Sequence, residues 1–121
     1  VEIKHNLFQS NPARRDMFPA IPLERTSVTG LKHLNGVLSM ARGGPDTATS
    51  SFSIMIGDQP SLDFGGARNA DGQGFAAFGK VTAGMDVVKK IQASHTSETS
   101  TSGYRTETLD PPIKIISARR K

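Results

Sequence analysis

The apolar residues of this chain come in short clusters, each shut off by glycine or proline within a few positions, and that punctuation most restricts the folds open to it. Gly36-Val37-Leu38-Ser39-Met40-Ala41 is a strand candidate stopped by Gly43-Gly44-Pro45. Phe52-Ser53-Ile54-Met55-Ile56 is a second, stopped by Gly57, with Phe52, Ile54 and Ile56 on one face at period two. Phe75 to Val81 is a third, and Ile113 to Ser117, where Ile113 and Ile115 flank Lys114, is the last. Val1 to Gln9 alternates loosely and runs into the turn Asn11-Pro12, so it reads as a strand at the start. Only one segment has helical spacing. Gly84 to Ile91 places Met85, Val88 and Ile91 on one edge, with Lys89 and Lys90 where they complement the helix dipole, and that edge should dock on the sheet.

Between these elements lie three connections. Pro12 to Asn35 is broken by Pro19, Pro22 and Gly30 and reads as an ordered loop with one helical turn. Asp58 to Gly74, with Pro60, Gly65, Gly66, Asn69, Asp71, Gly72 and Gly74, is a long excursion between strands. In Ser94 to Thr108, nine of the fifteen residues are Ser or Thr, which suits a solvent-exposed loop. Short strands with a single inserted helix point to an all-β or mainly-β barrel or sandwich rather than a βαβ repeat. The length of 121 residues is one domain's worth.

Composition narrows the function classes. With no cysteine, disulfides, thiolate metal sites and thiol nucleophiles are excluded. The apolar runs fall far short of a membrane span, and no charged-then-apolar leader opens the chain. The formal net charge of +4 invites a nucleic-acid reading, but the fifteen Lys and Arg are scattered. Their tight clusters are Arg14-Arg15, Lys89-Lys90 and Arg119-Arg120-Lys121, without aromatic interleaving or a groove-reading motif, so a solvated surface accounts for them. His5, His33 and His95 have no carboxylate at ligand spacing, so no metal site is expected. The string Gly72-Gln73-Gly74 is followed by a strand rather than a helix and carries no P-loop Lys-Ser. There is no Gly-x-Ser-x-Gly elbow.

One block of residues goes further. The run from Gly36 through Ser39-Met40-Ala41-Arg42, the Pro45 loop and Ser51-Phe52-Ser53-Ile54 resembles the cyclophilin signature, in which G-x-x-S-M-A, a proline-containing loop and S-Q-F-F-I follow in that order. Leu62-Asp63, Ala77-Phe78-Gly79-Lys80-Val81 and Gly84-Met85-Asp86-Val87-Val88 with Ile91 match the same family in the same order. The segments Asn11 to Arg15 and Pro22 to Thr26, and the glycine-rich Phe64 to Gly74, resemble its bacterial-type branch.

The resemblance implies a closed eight-stranded antiparallel barrel capped by helices, incomplete in this chain, and peptidyl-prolyl cis-trans isomerase activity on proline-containing segments of proteins. It implies no cofactor and no metal. In the family an apolar pocket grips the proline ring, polar groups hold the flanking backbone, and an arginine donates to the prolyl nitrogen. By resemblance, Ala41 and Arg42 fall where the family contacts the peptide backbone, Leu62 falls on an apolar wall of the pocket, and Gln9 takes the place of the family's Gln before a pair of glycines. Ser51 stands where the family often has Gln, Ser53 where it has the pocket's Phe, and Phe75 near its His or Tyr. For each position, strand packing or a solvated polar site is the alternative.

The F-H-R motif that supplies the family's arginine, and the F-M pair after it, have no counterpart before Gln9. The sequence therefore aligns with the C-terminal two-thirds of a cyclophilin domain, and a completing N-terminal segment or partner chain is expected, because an open barrel leaves unpaired strand edges. The first residue is Val1 rather than Met, which suits a processed product or a piece of a longer chain. Three functions follow. The chain is part of an isomerase, or a catalytically degenerate cyclophilin-like binding or scaffold subunit of a larger assembly, or a basic RNA-associated module.

Overall fold

Gly36 is the point from which the sheet grows. Its φ of 82° lies in the left-handed region that glycine adopts without strain. In that conformation its N–H donates to the Met55 carbonyl at 2.8 Å and its carbonyl accepts from Val81 N–H at 2.8 Å, so one residue starts the pairing on both sides. In this computed structural model, which describes residues 18–96 and 109–121, the chain then runs as β1 (Val37–Met40), β2 (Phe52–Ile54) and β3 (Ala77–Lys80). The strands form an antiparallel sheet in the order β2-β1-β3. Leu38 lies opposite Ile54, Ser39 opposite Ser53 and Met40 opposite Phe52. On the other side Leu38 faces Gly79 and Ser39 faces Ala77, so the register slips between Leu38 and Ser39. Phe78 is the extra residue of that irregularity.

Residues directly opposite in an antiparallel sheet share a face, and neighbours along a strand alternate. Val37, Ser39, Ser53, Met55 and Ala77 therefore share one face, and Leu38, Met40, Phe52 and Ile54 the other. Phe78 joins the second group, its ring edge-on to Phe52 with centroids 6.4 Å apart. The first face is the covered one. Val37, Met55 and Ala77 are buried with Leu62 in one hydrophobic cluster, and Phe75 packs against it.

The cover comes from the excursion between β2 and β3. It opens with a single 3-10 turn, Pro60–Leu62, that begins on a proline and delivers Leu62 to the core. Beyond the turn the backbone folds back on itself, with Arg68 N–H on the Ser61 carbonyl at 3.1 Å and Gly65 N–H on the Gly72 carbonyl at 2.8 Å. Phe75 N–H closes the excursion on the Leu62 carbonyl at 2.9 Å. Two glycines permit that path. A Cβ on Gly66 would collide with the Ser61 carbonyl, and one on Gly74 would lie 2.6 Å from the Asp63 carbonyl carbon.

The expected single helical turn before β1 is α1 (Thr26–Thr29), ended by Gly30 at φ 75°. The helix at Gly84 is α2 (Met85–Gln92), with Asp86 in its first turn and Lys89 and Lys90 in its last. Its docking is slighter than its amphipathic edge predicts. No residue of α2 is buried, because the helix begins only a few residues beyond the end of β3 and meets the sheet's end, where Met85 lies beside Gly36. Ile113 to Ser117 is not a strand in the structure. Alternation alone makes no strand without a neighbour to bond, and among the described residues no ladder partner faces it. The expected strand at Val1 to Gln9 and the Ser/Thr-rich loop from 97 to 108 lie outside the described residues.

The fold is mainly β, as expected, with a three-stranded sheet and the isolated bridges Ile21 with Ala48 and Thr96 with Leu109 among the described residues. No helix among them is long and apolar enough to cross a membrane.

Candidate functional site

The alternation of the covered face continues past the strand ends. Ala41 N–H donates to the Ser51 carbonyl at 2.9 Å, and Met40 N–H donates to the Ala76 carbonyl at 3.0 Å, so the ladder reaches Ala41, Ser51 and Phe75. These residues have the parity of Ser39, Ser53 and Ala77 and extend the same face. Six of the residues expected from sequence thus come together. Ser51 and Ser53 lie on one side of β1, Phe75 on the other, Ala41 between them, Leu62 behind Phe75, and Arg42 against the Phe75 ring. Gln9 lies outside the described residues. Leu62 is only 4% exposed and acts as backing, while the partly exposed Phe75 presents the apolar surface.

Arg42 is anchored throughout. Its guanidinium has five N–H groups. Nε donates to the Gly74 carbonyl at 2.9 Å and Nη2 to the same oxygen at 2.6 Å. Nη1 donates to the Gly43 carbonyl at 2.9 Å and to Asp71 Oδ2 at 2.7 Å, and Nη2 reaches Asp71 Oδ1 at 2.9 Å. All five donors are engaged within the chain, and the guanidinium carbon sits 4.8 Å from the Phe75 ring centroid, in cation–π range. Arg42 therefore clamps the glycine-rich excursion to the end of β1 and stacks against Phe75. Asp71, though exposed, has its carboxyl held below the usual carboxylate range, first by the Arg42 hydrogen bonds and then by the Gln73 N–H. Gln73 in turn accepts from Arg25 Nε at 2.6 Å.

Beneath this surface is a polar set that the sequence does not advertise. His33 is 1% exposed, and its imidazole joins Asp63 Oδ1 at 2.8 Å through Nδ1 to Ser39 Oγ at 2.9 Å through Nε2. The His33 N–H also donates to Asp63 Oδ1, at 3.0 Å, and its carbonyl accepts from Gln59 N–H at 2.7 Å. Thr26 Oγ1 accepts from Phe64 N–H at 2.9 Å on the far side of Asp63. Ser, His and Asp in a row resemble a hydrolytic triad, but Ser39 is 2% exposed and no acyl group can reach it. The row is internal scaffolding. Asp63 adjoins the expected wall residue Leu62, yet it lies 30 residues from His33 in sequence, and no spacing rule connects them.

Among the described residues no group of three His, Asp or Glu is placed to hold a metal ion. The site thus offers an apolar surface, two hydroxyls and backbone at strand ends, which suits noncovalent work on an extended ligand.

The profile of the family described as cyclophilin type peptidyl-prolyl cis-trans isomerase/CLD matches residues 4–120. A peptidyl-prolyl cis-trans isomerase of Acinetobacter baylyi is 39% identical over 115 residues, 94% of this chain and 56% of the relative. Peptidyl-prolyl cis-trans isomerase A of Dickeya dadantii is 38% identical over 99 residues, 81% of this chain and 48% of the relative. Peptidyl-prolyl cis-trans isomerase B of Escherichia coli is 40% identical over 72 residues, 59% of this chain and 43% of the relative. The chain spans about half the length of these curated relatives.

Proposed function

The chain belongs to the cyclophilin-type peptidyl-prolyl cis-trans isomerase family, and from that membership we propose that it works in the cis-trans isomerisation of X-Pro bonds in protein segments. The observation that carries the reading is the convergence of Ala41, Arg42, Ser51, Ser53, Leu62 and Phe75 at one end of the covered sheet face.

The chemistry asked of such a site is modest. Resonance gives the amide a rotation barrier of ~20 kcal/mol, which makes X-Pro exchange a matter of tens to hundreds of seconds. On rotation the nitrogen lone pair leaves conjugation and the charge separation of the amide falls. A surface that binds the twisted form more tightly than either planar form accelerates the exchange without a nucleophile or a metal. In this reading Phe75, backed by Leu62, receives the proline ring, and Arg42 stacks against the Phe75 ring. The strand ends at Ala41, Ser51 and Ser53 flank the peptide backbone. The sheet is read as part of the family's eight-stranded barrel, a reading supported by the second apolar face, Leu38, Met40, Phe52, Ile54 and Phe78. Residues 1–121 are read as a single domain.

The test is a cis-to-trans assay on a short X-Pro peptide over a range of concentrations of the protein joined to its expected completing N-terminal segment, which in the family carries the arginine that donates to the prolyl nitrogen. The expected result is a rate that rises in proportion to protein and falls back on addition of a competing proline peptide. Exchange at the uncatalysed rate at the highest concentration overturns the proposal.

A further inference from the structure

We propose that His33 is a positioning residue for the groove: its imidazole braces Asp63 against β1 and so sets where Leu62, and Phe75 in front of it, stand. The inference rests on the function proposed above for its catalytic consequence, but not for its geometry.

Leu62 reaches the core through a turn of three residues, Pro60–Leu62. Such a turn has too little internal bonding to fix its own height above the sheet. What ties it through side chains to the central strand is the next residue. Asp63 Oδ1 accepts two hydrogen bonds from His33, one from the main chain and one from the ring. The ring is itself seated on Ser39, whose backbone is in the central strand. The His33 carbonyl holds Gln59 N–H, at the entry to the same turn. One residue therefore grips the turn at both ends and rests on the sheet. The consequence passes forward through Leu62, whose carbonyl accepts the Phe75 N–H. No atom of His33 needs to meet a ligand.

The burial pattern supports a bracing role. His33, Ser39 and Asp63 are 1, 2 and 9% exposed, and a polar set of this kind is costly unless every member is satisfied. Among the described residues no buried side-chain nitrogen or oxygen lacks a partner. With Asp63 as acceptor, Nδ1 carries a proton. Nε2 then accepts from the Ser39 hydroxyl when the ring is neutral.

The two halves of the brace can be separated. An asparagine at 33 places its amide near the ring's Nδ1 and keeps a donor for Asp63, and a glutamine places it near Nε2 and keeps a group for Ser39. If the brace acts through Asp63, His33→Asn and Ser39→Ala leave the Leu62 methyl resonances near their wild-type positions, and His33→Gln moves them. In the X-Pro assay His33→Gln then lowers kcat/KM about tenfold, as a small displacement of a binding wall does. His33→Asn restores it to within about twofold of wild type. Equal shifts of the Leu62 methyls in all three variants, or none in His33→Gln, overturn the proposal. So does a wild-type ring with no proton on Nδ1, read from nitrogen-15 spectra, a measurement that needs no variant to fold. If the wild-type protein does not accelerate exchange, the isomerase reading fails by itself, and the methyl shifts and the ring proton still decide whether His33 braces the turn.

Discussion

On one face of the sheet Met55, Ser39 and Ala77 are each 2% exposed, while on the other Phe52 and Phe78 remain 39 and 47% exposed. By side-chain size the order should be the reverse, since the second face carries the larger apolar groups. The difference is set by what approaches each face. The excursion brings its own apolar and polar groups, Leu62 and Asp63, and packs them with His33 against a face of small residues. Ser39, Ser53 and Ala77 leave room for a leucine and an imidazole at close-packed distance. A face of phenylalanines would hold such a cover too far off for the His33 hydrogen bonds. Burial here follows from complementarity with the cover rather than from the hydrophobicity of the strands.

Truncating one large residue on each face separates the two most directly. Met55→Ala should lower the stability of the chain by about 2–4 kcal/mol, because it empties space that nothing else can fill. Phe78→Ala, on a ring that is 47% exposed, should cost about 1–2 kcal/mol despite removing more atoms. Urea unfolding monitored by circular dichroism measures both, and the opposite order would show that the excursion is not the dominant cover.

Next in size is the path of the excursion. Gly74 combines a φ of 69° with a Cβ position 2.6 Å from the Asp63 carbonyl carbon. Gly74→Ala should therefore cost about 2 kcal/mol, and it should disturb the covered face alone. Amide hydrogen exchange checks this, with faster exchange expected at Phe75 and Met55 and little change at Lys80.

The smallest effect concerns the clamp at the rim. The Asp71 carboxyl is depressed by its bonds to Arg42 and Gln73, so its contribution is present above the unfolded value of about 3.9 and is lost as pH falls through the lower folded value. The Arg42–Asp71 pair should stay closed at pH 5 and open only below about pH 4. The Phe75 ring resonances, which sense the stacked guanidinium, report it. Asp71→Asn should remove that acid transition while shifting the unfolding midpoint only slightly, because an amide oxygen at 71 still accepts from the Arg42 guanidinium, whose side chain is 1% exposed against 27% for Asp71. A ring signal that moves between pH 7 and 5 would show that another group governs the clamp.

Elements that form within a few residues are legible in the sequence, and those that need a distant partner are not. The strands around Ser39, Phe52 and Phe78, the helix from Met85 and the turn ending at Gly30 are local features, written in alternation, helical spacing and glycine placement. Ile113 to Ser117 has the same local signature as a strand and is not one, since a strand is completed by another segment. In the site, Arg42 and Phe75 were visible as positions but not as a pair. The clamp depends on Asp71 and Gly74, 29 and 32 residues from Arg42, brought back by the folding of the excursion.

In the sequence, residues 36 to 92 in their order carry the family and, through that resemblance, the candidate positions, while the short punctuated strands carry the mainly-β class. The packing of the excursion sets which face is covered, engages all the Arg42 donors inside the chain, and lets His33 join Asp63 to Ser39. The division is one of range. Alternation and turn chemistry act over a few residues, whereas burial and hydrogen-bond partnership are settled between segments about 30 residues apart, where the sequence carries no periodic signal.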